Sequence, residues 1–173
     1  FKVTEQLLHE ETKNGIDFDY IVHVGDISYA GLGGGEELAV VWDIYQSQME
    51  PLASYKPYMV TVGNHESFYN YTAFTHRYNM NNKANEAAGN KGNGNFWYSF
   101  ERSNVHWLQI STEHDCSPGS PQYAFVKKDL SQVDRSKTPW LLVTAHRPFL
   151  GSSTRQEDDQ DRKSTRLNSS HAN

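Results

Sequence analysis

The chain has 173 residues, 21% of them charged, and a formal net charge of -5 at pH 7. This length suits one domain with its own hydrophobic core. The acidic balance, without a stripe of lysine or arginine, argues against a dedicated nucleic-acid binder. No apolar run approaches the roughly 18 residues that cross a bilayer, so we expect no membrane span.

Two small features bear on the cellular compartment. Cys116 is the only cysteine, so no disulfide within the chain can report an oxidising environment. Residues 70–72 form an acceptor triplet for N-glycosylation, which points weakly to the secretory route. The first residues resemble neither an initiator nor a signal peptide, and we therefore expect the chain to begin in mid-domain.

The first half of the chain predicts alternating helices and strands. Residues 3–13 show helical spacing, 19–24 form a β-branched strand, and 58–62 form a second strand. Between them, 38–49 is predicted to be a helix with Pro51 beyond its end and a core-facing stripe of Val41, Ile44, Tyr45 and Gln48. The glycine-rich residues 31–35 lack the spacing and ending of a nucleotide-binding loop, which favours an entry loop.

The second half continues this α/β pattern. Residues 79–95 are poor in large apolar side chains and indicate a surface insertion. Strands are predicted at 96–100 and 105–111, joined by a polar turn, then a helix at 121–133 and a strand at 140–145.

The apolar pattern stops after residue 150. Residues 151–160 are predicted to be an exposed loop. Residues 161–171 match the in-frame translation of a common sequencing-library adapter, and we treat 161–173 as an artefact tail.

Candidate metal ligands follow the ends of three predicted strands. Asp26 and Tyr29 follow the first strand, Asn64 and His65 the second, and His146 the third. Alone, each has an ordinary reading as a cap, a turn residue, a packing residue or a core histidine. Buried parallel strands deliver side chains at their carboxyl ends. Oxygen and imidazole donors without thiolate suit iron, zinc or manganese, so the constellation predicts a catalytic metal centre.

Three motifs carry a family resemblance. GDISYA at 25–30, GNHE at 63–66 and VTAHRP at 143–148 resemble three of the five metal motifs of the purple acid phosphatases, which belong to the calcineurin-like metallophosphoesterases. Residues 96–123 also resemble that family's larger plant and protist members. The resemblance covers residues 1–150 and implies a partial metallophosphoesterase catalytic domain, an αββα sandwich truncated at both ends.

The resemblance implies a role for each candidate. Asp26 would bridge two metals, and Tyr29 would bind Fe(3+) as a coloured tyrosinate. Asn64 and His146 would bind a divalent zinc, iron or manganese. His65 would be the catalytic side chain that contacts the phosphate or the leaving group. The implied activity is acid hydrolysis of phosphate monoesters.

The resemblance also implies what lies outside these motifs. It places one aspartate ligand before Phe1 and two histidine ligands after His146, so we expect the isolated chain to be unable to hold the iron and to be inactive. It implies small phosphorylated substrates, a secreted or vacuolar location, and an amino-terminal β-sandwich domain, and it allows a homodimer of the full-length protein.

Two alternatives remain open. Another two-metal enzyme of the same fold, such as a phosphodiesterase or nucleotide pyrophosphatase, would use much of the same chemistry; Tyr29 argues against it. A non-catalytic binding module with a decayed site is the second alternative. The intact ligand chemistry of the three motifs argues against decay.

Overall fold

The computed structural model describes residues 6, 13–14, 18–32, 36–80 and 95–148. These contain helices and strands in alternation, as the α/β prediction requires. Most of the predicted helix at 3–13, glycines 33–35, most of the 79–95 insertion and the tail after 150 fall outside the described residues. The elements are β1 (Ile21–Val24), α1 (Ala39–Ala53), β2 (Tyr58–Thr61), α2 (Thr72–Arg77), β3 (Tyr98–Arg102), β4 (Val105–Gln109), α3 (Pro121–Gln132) and β5 (Trp140–Thr144).

The chain divides into two compact units. The first comprises residues 1–81 and 94–96, and the second comprises 82–93 and 97–173. Among the described residues, no helix has the length and apolar character needed to cross a membrane.

A parallel pair of strands organises the first unit. β1 lies parallel to β2, with Ile21 opposite Tyr58 and Val24 opposite Thr61. α1 provides the crossover that parallel pairing demands. A buried cluster that includes Ile27, Val60 and others from α1 and α2 packs around this pair. The two strands therefore end at the same edge, which confirms that their following loops meet.

The buried face of α1 differs from the prediction. Trp42, Tyr45 and Met49 face the core, whereas Ile44 is 54% exposed. The buried residues of α1 keep helical spacing, but the buried face is centred nearer Trp42 than predicted. Burying Trp42 removes more apolar surface from water than burying Ile44 would. The Trp42 indole N–H also donates to Glu37 at 2.6 Å, which satisfies its polar atom.

The end of α1 is also later than predicted. The helix continues through Pro51 to Ala53. Proline removes one backbone donor, the N–H that would otherwise pair with the Ser47 carbonyl, but the helix ends within a few residues of this break. The backbone N–H of Ser54 donates to Glu50 at 3.0 Å and closes the final turn.

A three-stranded sheet organises the second unit. β3 and β4 form the predicted antiparallel hairpin, and β5 lies parallel to β4. The hairpin turns at Ser103, whose φ is 53°. α3 begins as its sequence predicts, with Pro121 in the first turn and the Ser120 hydroxyl accepting the Tyr123 N–H at 3.1 Å.

A buried polar network attaches α3 to the hairpin. His106 Nε2 lies 2.9 Å from Asp129 Oδ2, and the Ser99 hydroxyl donates to Asp129 Oδ1 at 2.5 Å. The other ring nitrogen of His106 lies 3.3 Å from Glu101 Oε1. The imidazole thus lies between two carboxylates, with Asp129 only 7% exposed.

β5 is more exposed than an apolar strand predicts. Trp140 is 63% exposed and Val143 is 48% exposed. β5 is the edge strand of its sheet, paired with β4 on one side. Within the described residues of this unit, β4 is therefore the one strand that covers an edge of β5.

Candidate metal centre

The loop after β1 has an unusual backbone. Gly25, Asp26 and Tyr29 all adopt positive φ, at 73°, 54° and 55°. Residues with a Cβ rarely occupy this left-handed region, because it costs about 1 kcal/mol or more each. Such conformations persist where the surrounding structure enforces them, and they concentrate at functional sites.

Glu66 enforces this loop conformation. Its side chain is 1% exposed, and its carboxylate accepts the backbone N–H groups of Asp26 at 2.8 Å, Ile27 at 2.6 Å and Gly63 at 2.8 Å. Burial raises the pKa of Glu66, and the three N–H donors partly oppose that rise. One buried carboxylate therefore joins the loops that follow β1 and β2.

Glu66 has a role in the site that the sequence pattern does not predict. Its only signal was its place in the GNHE motif, directly after two candidate ligands. An acidic residue in a turn usually faces solvent. Its function becomes visible only when the positions of the backbone donors are known.

Asp26, Tyr29 and His65 come together at this edge, as predicted. Asp26 Oδ1 accepts the His65 backbone N–H at 3.1 Å, and Asp26 Oδ2 accepts the Tyr29 hydroxyl at 3.0 Å. His65 Nε2 lies 4.0 Å from Asp26 Oδ2. The Tyr29 and His65 rings are 4.5 Å apart between centroids, tilted by 45°.

The phenol of Tyr29 is held in its protonated form. Burial, the hydrogen bond to Asp26 and the charges of Asp26 and Glu66 raise the pKa of Tyr29 above its ordinary value. Deprotonation therefore requires a nearby cation. A cation that replaced the proton of the Tyr29–Asp26 hydrogen bond would lie beside the Tyr29 phenol oxygen and Asp26 Oδ2.

The oxygens of Asp26 and Tyr29 fit such a cation. They are 3.0 Å apart, and two ligands at about 2.0 to 2.2 Å from one metal, at right angles, lie about 3 Å apart. Among the described residues, no group of three or more His, Cys, Asp or Glu side chains could hold a metal ion. The phenol adds a donor of another type, and carboxylate, phenol and imidazole together suit iron or zinc.

Asn64 lies in the same loop as His65. It is half-buried and opens the short helical turn Asn64–Glu66. Its backbone carbonyl accepts the Ser67 hydroxyl at 2.8 Å, which fixes the turn. Metal ligation by its side chain stays a prediction.

His146 follows β5 in the second unit and is half-buried. The chain on both sides of it is fixed to the end of β4. The Trp107 indole donates to the Thr144 hydroxyl at 3.0 Å, and Arg147 Nε donates to Glu113 Oε1 at 2.8 Å. Ligation by His146 also stays a prediction.

Comparison with known proteins identifies the class. The family model of the calcineurin-like phosphoesterases matches residues 1–168. The chain therefore belongs to the calcineurin-like phosphoesterase family.

Purple acid phosphatases are among the relatives found in these comparisons, which confirms the predicted resemblance, and a "Nucleotide pyrophosphatase/phosphodiesterase" of Hordeum vulgare is among them as well. The chain is 36% identical over 162 residues to "Probable inactive purple acid phosphatase 9" of Arabidopsis thaliana, covering 80% of this chain and 24% of that protein. It is 37% identical over 150 residues to purple acid phosphatase 18 of the same plant, covering 82% of this chain and 32% of that protein.

A solved structure supports the same relationship. Purple acid phosphatase PPD1 from yellow lupin (Lupinus luteus) seeds superposes with a TM-score of 0.70 at 30% identity, covering 89% of this chain and 27% of that chain. This chain thus spans about a quarter to a third of the length of these relatives.

Proposed function

We propose that the whole protein is an acid phosphatase that hydrolyses phosphate monoesters at a binuclear metal centre. The observation that supports this most is the Tyr29 phenol, 3.0 Å from an Asp26 carboxylate oxygen at the end of a parallel strand pair. Family membership makes a hydrolase of phosphate esters the natural use of that arrangement.

The proposed ligands are the predicted ones. Asp26 and Tyr29 would hold Fe(3+), and Asp26, Asn64 and His146 would hold the divalent zinc, iron or manganese. For His146 the proposal relies on the sequence and the family resemblance alone. When bound, the metals supply Lewis acidity that activates water and neutralises charge on the phosphoryl oxygens.

His65 is the proposed catalytic side chain. Its side chain is 29% exposed, so the ring can reach a bound substrate. The Tyr29 ring and the Asp26 carboxylate border it on two sides, which limits its rotation. From there His65 donates a hydrogen bond to the phosphate or a proton to the departing alkoxide.

A non-catalytic binding module is the second candidate. One of the Arabidopsis relatives carries the word "inactive" in its name. A module of this kind would keep the Glu66 framework and bind phosphate without turnover.

Phosphate release from an aryl phosphate at mildly acidic pH tests the proposal. We expect the folded full-length protein to be active, this chain alone to be inactive, and His65→Asn in the full-length protein to lose about 10²- to 10⁴-fold in kcat. Asp43→Asn, on an exposed surface of α1, is the matched control and should retain activity. A folded full-length protein without activity would favour the binding module.

We propose further that the protein follows the secretory route to the vacuole or cell exterior and acts on small phosphorylated molecules. The supporting residue is Asn70, which is exposed within its acceptor triplet. A mass loss on treatment with a peptide N-glycosidase, absent in Asn70→Gln, would support this route.

A further inference from the structure

The ring of Phe68 lies directly over the backbone of Gly31. A Cβ added to Gly31 would lie 2.2 Å from Phe68 Cε2 and 2.4 Å from Phe68 Cζ, far closer than two carbon atoms can approach. The ring therefore occupies the space that any other residue at position 31 would fill. This contact depends on glycine for space, not for backbone freedom, since Gly31 is not among the glycines with positive φ.

The contact between Gly31 and Phe68 joins the loop after β1 to the loop after β2. Gly31 lies in the turn that begins at Tyr29, which is closed by the Leu32 N–H donating to the Tyr29 carbonyl at 3.3 Å. Phe68 starts the helical turn Phe68–Tyr71, two residues after Glu66. Glu66 holds the backbone N–H groups of Asp26 and Ile27, before Tyr29, and the Phe68 ring packs on Gly31, after it.

The direction of Phe68 is enforced by its own turn. Tyr69, Asn70 and Tyr71 adopt left-handed conformations, with φ of 48°, 56° and 60°. Three such residues in succession are costly unless the surroundings hold them. The Thr72 hydroxyl donates to the Tyr69 carbonyl at 2.5 Å, and the Tyr71 ring packs against Phe96 at 5.1 Å between centroids.

We propose that Phe68 is a positioning residue for Tyr29, acting through Gly31. Tyr29 has a strained backbone and a side chain that is 38% exposed, so few surrounding groups fix the phenol. The Glu66 hydrogen bonds end at Ile27, and beyond Tyr29 the Ala30 carbonyl accepts the Leu38 N–H at 3.1 Å. The Phe68 ring adds a side-chain constraint at Gly31, within the turn that begins at Tyr29, and so helps to keep the phenol facing Asp26. This role rests on the proposed function, in which Tyr29 is a metal ligand.

A double-mutant cycle in the metal-free chain tests the contact. Phe68→Ala removes the ring, and Gly31→Ala displaces it. Each should raise amide hydrogen exchange at Leu32 about tenfold. The double variant should be no faster than Phe68→Ala, because the new methyl enters the vacated space. Tyr55→Ala, which removes an aromatic side chain that is 84% exposed, should leave exchange unchanged.

Two results of this cycle would overturn the proposal. One is unchanged exchange in both single variants. The other is additive effects, which would place the cost of Gly31→Ala in its own backbone.

Ferric titration of the full-length protein supplies the second readout. Tyrosinate bound to Fe(3+) absorbs visible light, and we expect a weaker or shifted band in both single variants and an unchanged band in Tyr55→Ala. A wild-type band that neither substitution alters would overturn the positioning role. If the full-length wild-type protein gives no band, the proposed metal role of Tyr29 fails, while the exchange cycle still decides whether Phe68 holds the turn that begins at Tyr29.

Discussion

The Glu66 carboxylate accepts the backbone N–H of Asp26 at 2.8 Å, across 40 positions of the chain. Both residues follow strands whose side-by-side pairing brings their loops to one edge. The Asp26 oxygens accept hydrogen bonds from Tyr29 and His65, and the Asp26 backbone N–H is held by the Glu66 carboxylate. The geometry of the site thus depends on a residue that is itself 1% exposed.

Replacing Glu66 by glutamine should destabilise the first unit. The amide has one acceptor oxygen, so at least one of the three backbone donors loses its partner and faces an NH₂ group. We expect a loss of about 1 to 3 kcal/mol in the free energy of unfolding for each unsatisfied donor. Urea denaturation measures it, with exposed Glu50→Gln as the control, expected within about 0.5 kcal/mol of wild type. Equal stability of both variants would contradict the role of Glu66.

His114 should make the second unit sensitive to acid. Burial lowers the pKa of His114 below its ordinary 6.5, and the nearby Glu113 opposes this in part. The unfolded chain therefore binds a proton more readily, and the free energy of unfolding should fall as pH drops below about 6.5 toward the folded-state pKa. His114→Asn should flatten this slope, whereas exposed His76→Asn should not. Parallel slopes in wild type and His114→Asn would refute the assignment.

Breaking the buried network of α3 should be costly. Asp129→Ala removes the oxygens that pair with His106 Nε2 at 2.9 Å and with the Ser99 hydroxyl at 2.5 Å. A buried polar group left without a partner costs about 1 to 3 kcal/mol. Asp43→Ala breaks an exposed ion pair with Arg77 and should cost less than about 1 kcal/mol. Thermal unfolding of the two variants should therefore differ clearly, and similar midpoints would show that the network contributes little.

Tyr29→Phe should separate metal chemistry from folding. The hydroxyl is partly exposed, so its loss should change the free energy of unfolding by less than about 1.5 kcal/mol. The visible ferric band should disappear, because only the phenol oxygen can bind as tyrosinate. Tyr55→Phe is the control for tyrosine absorption elsewhere. Unaltered metal identity in Tyr29→Phe, together with the absence of a visible band in the wild-type protein, would favour a phosphodiesterase or pyrophosphatase without a tyrosinate ligand.

The sequence predicted the strands well because each is a short β-branched or aromatic run that ends at a turn signal. β1 and β2 were expected at 19–24 and 58–62 and occupy Ile21–Val24 and Tyr58–Thr61. Their parallel pairing, and with it the proximity of Asp26 to His65, followed from the intervening helix.

Other features depend on information that local patterns lack. Ile44 was expected in the core, but the rotation of α1 is decided by how Trp42 packs in three dimensions. The exposure of β5 depends on which strands flank it. The role of Glu66 depends on three backbone donors, two of which lie far away in sequence.

The pairing of β1 with β2 also has a consequence for the order of events during folding. The two strands are separated by more than thirty residues, and parallel pairing over such a distance forms late because the intervening loop must first be closed. Glu66 can accept the backbone N–H groups of Asp26 and Ile27 only after that step, so we expect the loop after β1 to reach its final conformation late. We therefore expect iron to capture a chain that has already folded, and to slow its unfolding without accelerating its folding.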